Sequence, residues 1–308
     1  MAVDLGRVAR VGYGAPASVR DGPVAVPTSR QALPVERDVR IPRTPDGGRP
    51  DDRIVVIGIG DVHGLFEPVF AALEAVPEAS AILQVGDLTA GKPGRERHVD
   101  GDPRDLSRLP VPFFWIHGNH EHWDLFPAGP GPRTPRVPGT HLWPGTHAFV
   151  PGTGIGVVGL PGNYAPTCYD LRKPFPGDRV RHFNRDDVEA MARHPYPNVL
   201  LMHEAFRGQA PGRIGTMGIP VLARLVAELR PALVLTGHHH LFGVATHGPT
   251  LAISLPHAWE GYLRLEFLRS GALVRWEFIH RVQGVTPGSP EVAPPPPAAP
   301  CVTAGTAR

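Results

Sequence analysis

Residues 54–64 read I-V-V-I-G-I-G-D-V-H-G, and this stretch decides the fold. A short apolar run, rich in β-branched residues and bounded by glycine, is typical of a buried strand. The polar residues Asp61 and His63 follow at once, so they lie just past the carboxyl end of the predicted strand. In layered α/β folds, ligands bind at the carboxyl ends of the strands. The stretch therefore predicts a buried strand that leads into a functional loop.

The same pattern, an apolar run followed by Asp, Asn or His, recurs four more times in the chain. The runs are residues 82–85, 113–116, 199–202 and 233–235, and the polar residues after them are Asp87, His117, Asn119, His120, His203, His238, His239 and His240. We expect all five runs to bring these side chains to the same edge of a sheet. Because such oxygen and nitrogen ligands suit hard and borderline divalent metals, the pattern predicts a metal site rather than a set of structural histidines.

Five motifs carry a resemblance to a known family: Gly60-Asp61-Val62-His63, Gly86-Asp87, Gly118-Asn119-His120-Glu121, His203 and Gly237-His238-His239-His240. In identity and order they resemble the calcineurin-like metallophosphoesterase superfamily over residues 61–240. The resemblance implies an α/β fold in which a two-sheet β-sandwich is flanked by helices, giving four layers, α/β/β/α. It also implies a metal-dependent phosphoester hydrolase.

The resemblance assigns a role to each residue of the site. Asp61, His63 and His240 would bind a first metal ion, Asn119, His203 and His238 a second, and Asp87 would bridge the two. Two divalent ions would clamp the phosphate and lower the pKa of a bridging water, which would attack as hydroxide. His120 would be the general acid for the leaving oxygen, or a hydrogen-bond donor to the transition state. We expect Mn²⁺, with Fe, Zn²⁺ and Ni²⁺ as alternatives.

The last motif also makes geometric sense as an extended segment. Alternate side chains of such a segment share a face, so His238 and His240 can point inward together while His239 points away. His239 is then either a residue that supports the ligands from behind or a surface histidine, and the surface histidine is favoured. Three weaker candidates could orient the ligand histidines or merely form salt bridges: Glu121, His122 and Glu204.

The sequence says less about the substrate. Ser/Thr protein phosphatases of the superfamily continue Gly-Asp with an Asp-Arg-Gly element, whereas here Gly86-Asp87 runs into Leu88-Thr89-Ala90-Gly91. Residues 86–90, 118–121, 181–184 and 230–240 are similar to the RNA lariat debranching enzymes. This similarity favours a phosphodiesterase that acts on a nucleotide or nucleic-acid phosphoester. The alternatives are a phosphomonoesterase, such as a Ser/Thr protein phosphatase, and a binding module that has lost catalysis.

Helices and strands around the site are predicted from periodicity. Apolar residues at helical spacing predict helices near 66–76 and 222–229, and Asn184 is expected to cap another. Apolar runs at 251–255, 262–268 and 274–279 predict closing antiparallel strands of a second sheet. We expect the irregular stretch 127–138 to form one wall of the substrate cleft. The stretch 161–183, with Lys173 and Arg181 among its basic residues, is the candidate for contacting a substrate phosphate or base, and a plain surface loop is the alternative.

Composition bounds the rest of the chain. We expect a metallophosphoesterase domain over 51–283, a disordered or loosely packed Pro/Arg-rich segment over 1–50 and a flexible Pro/Ala-rich tail over 284–308. The formal net charge of +2 predicts no strong field towards nucleic acid or membrane, and no protein partner is indicated. With two cysteines, no apolar run near 18 residues and no apolar N-terminal stretch, we expect no disulfide framework, no membrane span and a cytoplasmic protein.

Overall fold

The computed structural model describes residues 53–89, 91, 101–126, 135–173, 175, 177–194, 197–209, 211–212, 215–216 and 218–280. The expectations for residues 1–50 and 284–308 therefore concern parts of the chain outside the described residues, as does that for most of the 127–138 loop. The domain expected over 51–283 stays a prediction at its two boundaries.

The opening stretch forms the centre of the first sheet. Strand β1 (Arg53–Ile59) is buried from its second residue onward, as expected for a strand covered on both faces. It runs parallel to β2 (Ala79–Gln84), which is followed in parallel by β3 (Phe113–Trp115) and β4 (Thr140–His141). On its other side β1 is antiparallel to β15 (Gly261–Leu268), which pairs with β16 (Leu273–His280). The strand order is β16-β15-β1-β2-β3-β4.

The second sheet is also parallel at its centre. Strand β12 (Leu233–Thr236) lies between β9 (Val199–Met202) and β14 (Thr250–Ser254), and β9 continues to β6 (Gly156–Leu160), all in parallel. The antiparallel strands β13 (Gly243–His247) and β5 (His147–Phe149) form the two edges. The order is β13-β14-β12-β9-β6-β5. Two short ribbons pair β7 (Asn163–Tyr164) with β8 (His182–Phe183) and β10 (Pro211–Gly212) with β11 (Gly215–Thr216).

The two sheets pack face to face, and glycines permit the close approach. A Cβ atom at Gly58 in β1 would lie 3.3 Å from the side chain of Leu235 in β12. A Cβ atom at Gly159 in β6 would press against Ile116, which follows β3. These contacts make the interior of a sandwich, in which strands buried on both faces read as continuous apolar runs.

Helices cover the outer faces of the sandwich. Helix α1 (Glu67–Ala75) packs Val69 and Ala72 into the core of the first sheet. Helices α3 (Arg185–Met191) and α4 (Pro220–Leu229) pack apolar side chains onto the second sheet, while α2 (Pro166–Tyr169) is a single turn. The expected four-layer α/β/β/α fold is thus confirmed. Among the helices of the described residues, none combines the length and apolar character that a membrane span requires.

Local signals account for the helix ends. Asn184 caps α3 as expected, in a reciprocal capping box with Asp187: the Asp187 N–H donates to Asn184 Oδ1 (3.0 Å) and the Asn184 N–H donates to Asp187 Oδ2 (2.9 Å). Helix α4 stops at Leu229 because Arg230 adopts a left-handed conformation (φ 48°) and Pro231 follows.

Two expectations about the strands were wrong. The run at 251–255 gives β14, which lies in the second sheet and is antiparallel to β13 but parallel to β12. Strands β15 and β16 are antiparallel as expected, but they close the first sheet rather than the second. The five apolar runs also do not share one sheet edge: β1, β2 and β3 belong to the first sheet, and β9 and β12 to the second. An apolar run shows that a strand is buried, but it does not show which strand lies beside it.

Candidate metal centre

Loops from the two central strands of the first sheet meet directly. The backbone N–H groups of Val62 and His63 donate to the carbonyl of Asp87 (3.0 and 2.8 Å), which locks the loop after β1 to the loop after β2. His63 and Asp87 have φ values of 48° and 51°, a left-handed region that non-glycine residues rarely adopt. Such backbone strain is found most often at functional sites, where the surrounding structure holds it in place.

Asp87 occupies the centre of the cluster. Its Oδ1 atom accepts a hydrogen bond from the His120 N–H (2.7 Å) and lies 3.4 Å from His203 Nε2. Its Oδ2 atom lies 3.8 Å from His63 Nε2 and is buried, with no hydrogen bond from any residue that the structure describes. One carboxylate oxygen thus faces each of two groups of side chains.

The first group lies on the β1 side of Asp87. Asp61 Oδ2 is 2.9 Å from His240 Nε2, and both oxygens of Asp61 accept from the His238 N–H (3.2 and 3.1 Å). Asp61, His63, Asp87 and His240 each offer one ligand atom, and these atoms lie within 4.8 Å of one another. The structure therefore brings together the residues predicted for the first metal ion and the predicted bridge.

The second group lies where the second sheet reaches the same end of the sandwich. His203 Nε2 is 3.0 Å from Asn119 Oδ1, and the His203 ring is 5.0 Å from that of His238. His203 Nδ1 lies 2.9 Å from the carbonyl of Val85, and because a carbonyl can only accept, Nδ1 donates to it and Nε2 is the nitrogen that faces the site. The three residues predicted for the second ion are therefore also adjacent.

The His238–His240 segment reaches the site by a different route from the one expected. It is not extended, because His238 and His240 have φ values of 66° and 51°. His239 is not a plain surface residue either, since its Nε2 atom lies 3.2 Å from Glu204 Oε1 and its side chain is only 20% exposed. Successive left-handed turns, rather than strand alternation, bring His238 and His240 to the site.

Buried acidic residues around the cluster act as structural acceptors. Glu121 accepts from the backbone N–H groups of Gly118 and Leu88 (3.0 Å each), and from the N–H and hydroxyl of Thr89 (3.0 and 2.7 Å). These bonds tie the loop after β3 to the loop after β2. Burial, together with the charge of Asp87, raises the pKa of Glu121 to about 7. The sequence had left this residue as a weak candidate.

Of the other two weak candidates, Glu204 lies at the site and His122 pairs with a residue outside it. Glu204 is buried beside the last motif, 4.0 Å from His238 Nε2. Burial opposes its charge, but the hydrogen bond with His239 and the nearby His238 lower its pKa. His122 lies 3.5 Å from the exposed Asp124, so its ring has a local partner.

Among its described residues, the 161–183 stretch contacts the site through Tyr164. The Tyr164 N–H donates to Glu204 Oε2 (3.5 Å). Lys173, a candidate for phosphate contact, instead pairs with Asp187 at the start of α3 (2.7 Å). Arg181 donates to the ring of its neighbour His182 (3.4 Å).

Sequence reasoning missed His257, which lies beside the first group. Three histidines each offer one ligand atom, and these atoms lie within 4.8 Å of one another: His63, His240 and His257. The signal was present, because the apolar run at 251–255 ends in Pro256-His257, the same pattern as the other five runs. The pattern alone does not distinguish this run from an antiparallel closing strand, so it does not single out His257.

The donor set fits divalent cations. Asp61 and Asp87 are both fully buried, and burial raises the pKa of Asp61 well above its ordinary value. Burial also opposes the charge of Asp87, but His203, His63 and the His120 N–H lower its pKa. Burial and the proximity of His203 lower the pKa of His238 to about 4, so that its imidazole is neutral and can act as a ligand. Two adjacent buried carboxylates are stabilised by a cation bound between them.

The fold resembles solved structures of low sequence identity. A Thermus thermophilus protein, TT1561, gives a TM-score of 0.50 at 17% identity, over 74% of this chain and 98% of that one. A Staphylococcus aureus protein assigned as a 5'-nucleotidase gives a TM-score of 0.50 at 15% identity, over 75% of this chain and 55% of that one. Identities this low support the fold alone. Comparison with curated proteins gives no match.

The family follows from the sequence match. The model of the calcineurin-like phosphoesterases matches residues 54–242, which is more than half of the chain and spans the five motifs. The chain therefore belongs to the calcineurin-like phosphoesterase family. It is a metal-dependent phosphoester hydrolase, and the His/Asp cluster is its candidate metal site.

Proposed function

We propose that the chain is a dinuclear-metal phosphodiesterase that hydrolyses a nucleotide or nucleic-acid phosphoester. The observation that carries the proposal is the position of Asp87 between two ligand groups, with Oδ2 3.8 Å from His63 and Oδ1 3.4 Å from His203. A carboxylate that faces a separate set of ligands with each oxygen is suited to bridge two ions.

In this proposal each side chain has one task at the metal pair. Asp61, His63 and His240 hold the first ion, Asn119, His203 and His238 hold the second, and Asp87 holds both. The bound ions neutralise the charge of the substrate phosphate and lower the pKa of a coordinated water. The Val85 carbonyl, 2.9 Å from His203 Nδ1, fixes the ring so that Nε2 is directed at the site, as partners of ligand histidines commonly do.

His120 is assigned as the general acid. Its backbone N–H is anchored on Asp87 Oδ1 (2.7 Å), while the residue itself is exposed and its ring lies 5.7 Å from that of His63. The anchored backbone holds the imidazole at the open side of the cluster. There it can carry a proton and deliver it to the leaving oxygen of the substrate.

The choice of metals follows from the donor atoms, and the choice of substrate class follows from the sequence. Mn²⁺ is our first choice, because carboxylate and amide oxygens supply part of the donor set, and Fe, Zn²⁺ and Ni²⁺ are the alternatives. A diester is favoured because the sequence lacks the Asp-Arg-Gly element of the protein phosphatases and is locally similar to the lariat debranching enzymes. A nucleotide phosphomonoester is the second candidate, since one protein of similar fold is assigned as a 5'-nucleotidase.

The test compares bis(p-nitrophenyl) phosphate with p-nitrophenyl phosphate as substrates, with Mn²⁺ added and Asp87→Ala as the inactive control. A higher kcat/KM for the diester supports the proposal and directs attention to cyclic, linear and branched nucleotides. A higher kcat/KM for the monoester overturns the diesterase assignment in favour of a phosphomonoesterase. Hydrolysis that persists in Asp87→Ala would show that the proposed site is not responsible.

A further inference from the structure

His257 has no role in the site proposed above, yet it lies at the same end of the sandwich. It follows the carboxyl end of β14, a central parallel strand of the second sheet. Its ring is 3.7 Å from the ring of His240 and 5.4 Å from that of His63, measured between centroids. The three imidazoles each bring one nitrogen into a group no wider than 4.8 Å.

Backbone contacts hold His257 in this position. The Ala258 N–H donates to the carbonyl of Asp61 (2.9 Å), and the Leu255 N–H donates to the carbonyl of Thr236 (2.8 Å). A Cβ atom at Gly60 would overlap the carbonyl oxygen of Pro256, so only glycine allows this segment to lie against the end of β1. The segment around His257 is thus fastened to the loop that carries Asp61 and His63.

The ring of His257 is held as firmly as its backbone. The indole of Trp259 stacks on it with the centroids 4.1 Å apart and the planes 13° apart. The imidazole therefore packs against Trp259 as well as His240, and a supported ring of this kind is already oriented for binding. The same stack is what a purely structural histidine would show, so the test has to separate ligation from packing.

We propose that His257 is a further ligand of the first metal position, where it adds an imidazole nitrogen to Asp61, His63 and His240. The inference rests on the proposed function, because it needs a metal ion at that position. A third imidazole makes the first position richer in nitrogen than the second. Imidazole favours Zn²⁺, Fe and Ni²⁺ over Mn²⁺, so the first position is the one that selects such ions.

The test is a titration of the metal-free full-length protein with Co²⁺ alone, followed by visible absorption, which reports on the ligands around the ion. His257→Phe keeps a ring between His240 and Trp259 but offers no ligand atom, and His257→Ala removes both. His280→Ala, an exposed histidine outside the site, is the matched control. We expect one of two Co²⁺ ions to bind about tenfold or more weakly in both His257 variants, with an altered spectrum. Free imidazole should restore binding in His257→Ala but not in His257→Phe.

Several results would overturn the inference. If His257→Phe binds Co²⁺ with the wild-type affinity and spectrum, His257 is a packing residue. The same conclusion follows if the metal-free variants melt at a lower temperature but their Co²⁺ spectra are unchanged. The proposed function fails separately, if the wild-type protein binds no Co²⁺ or does not hydrolyse the diester. The inference about His257 alone would be overturned if the wild-type protein binds two Co²⁺ ions and hydrolyses the diester, while His257→Phe has the same Co²⁺ affinity and spectrum as the wild type.

Discussion

His203 Nε2 lies 3.4 Å from Asp87 Oδ1, and the two residues come from different sheets. Asp87 follows β2 in the first sheet and His203 follows β9 in the second, so this contact joins the carboxyl ends of both sheets. The ligand groups on either side of Asp87 are brought together by the packing of the sandwich. The site therefore depends on the fold as a whole rather than on any single loop.

Asp87→Asn tests the bridging role, because it keeps the shape of the side chain and removes its charge. We expect kcat/KM for bis(p-nitrophenyl) phosphate to fall by about 10³-fold or more, and both metal affinities to fall together. Metal content and hydrolysis are measured on the same samples, with the exposed Asp105→Asn as control. Weakening of one ion alone would contradict a bridging role.

His120→Ala separates acid catalysis from metal binding. We expect both ions to stay bound while turnover slows by about 10²- to 10⁴-fold, because the imidazole acts on the leaving oxygen only. The loss should grow as the leaving group becomes more basic, since a poor leaving group needs the proton most. His122→Ala, whose ring pairs with Asp124, is the neighbouring control. Loss of metal from His120→Ala would show that the acid assignment is wrong.

Glu121→Gln tests the tie between the loops after β2 and β3. The carboxylate accepts four hydrogen bonds, and an amide oxygen cannot accept all of them. At pH 8, above the raised pKa of Glu121, we expect the free energy of unfolding to fall by about 3 kcal/mol, since hydrogen bonds to a buried carboxylate are lost. Denaturant unfolding of metal-free protein measures this, beside the exposed Glu228→Gln. Equal stability of the two variants would contradict the structural role.

The sequence predicted which residues would meet, because each buried strand delivers the residues after it to one end of the sandwich, although the strands belong to two sheets rather than one. It predicted Asp61, Asp87 and His203 as neighbours, and the structure brings them together; their roles as ligands stay predictions. It failed on backbone geometry: His238 and His240 share the site through positive φ values, which side-chain alternation does not encode.

His257 shows a second limit of reasoning from motifs. Its strand β14 has the same apolar pattern as the other five runs, but the resemblance ended at His240 and drew no attention to a later histidine. Whether a run pairs in parallel or antiparallel depends on contacts with distant strands, and here β14 pairs with β12 and β13. Its parallel pairing with β12 brings His257 to the metal end of the sandwich.

Acid should destabilise the fold through His141, which is not among the candidate ligands. Its Nδ1 atom is buried without a hydrogen-bond partner among the described residues, and its Nε2 atom lies 3.1 Å from His117 Nδ1. Burial lowers its pKa to about 3, whereas in the unfolded chain it titrates near its ordinary value of about 6.5. Below a pH of about 6.5 the unfolded chain binds a proton at His141, whereas the folded protein does not bind it until the pH approaches about 3. The free energy of unfolding therefore falls as the pH drops from about 6.5 towards 3.

At pH 5 this difference amounts to about 2 kcal/mol of lost stability relative to pH 7.5. His141→Phe removes the titrating group and keeps an aromatic ring beside Trp115 and Trp143, so its stability should change less between the two values of pH. Denaturant unfolding of the metal-free proteins at pH 7.5 and pH 5 measures the difference, and working without metal separates it from loss of the ions in acid. The exposed His280→Ala should keep the wild-type pH dependence. An identical loss in His141→Phe and wild type would show that His141 is not the group responsible, because a proton-linked loss cannot survive removal of the site that binds the proton.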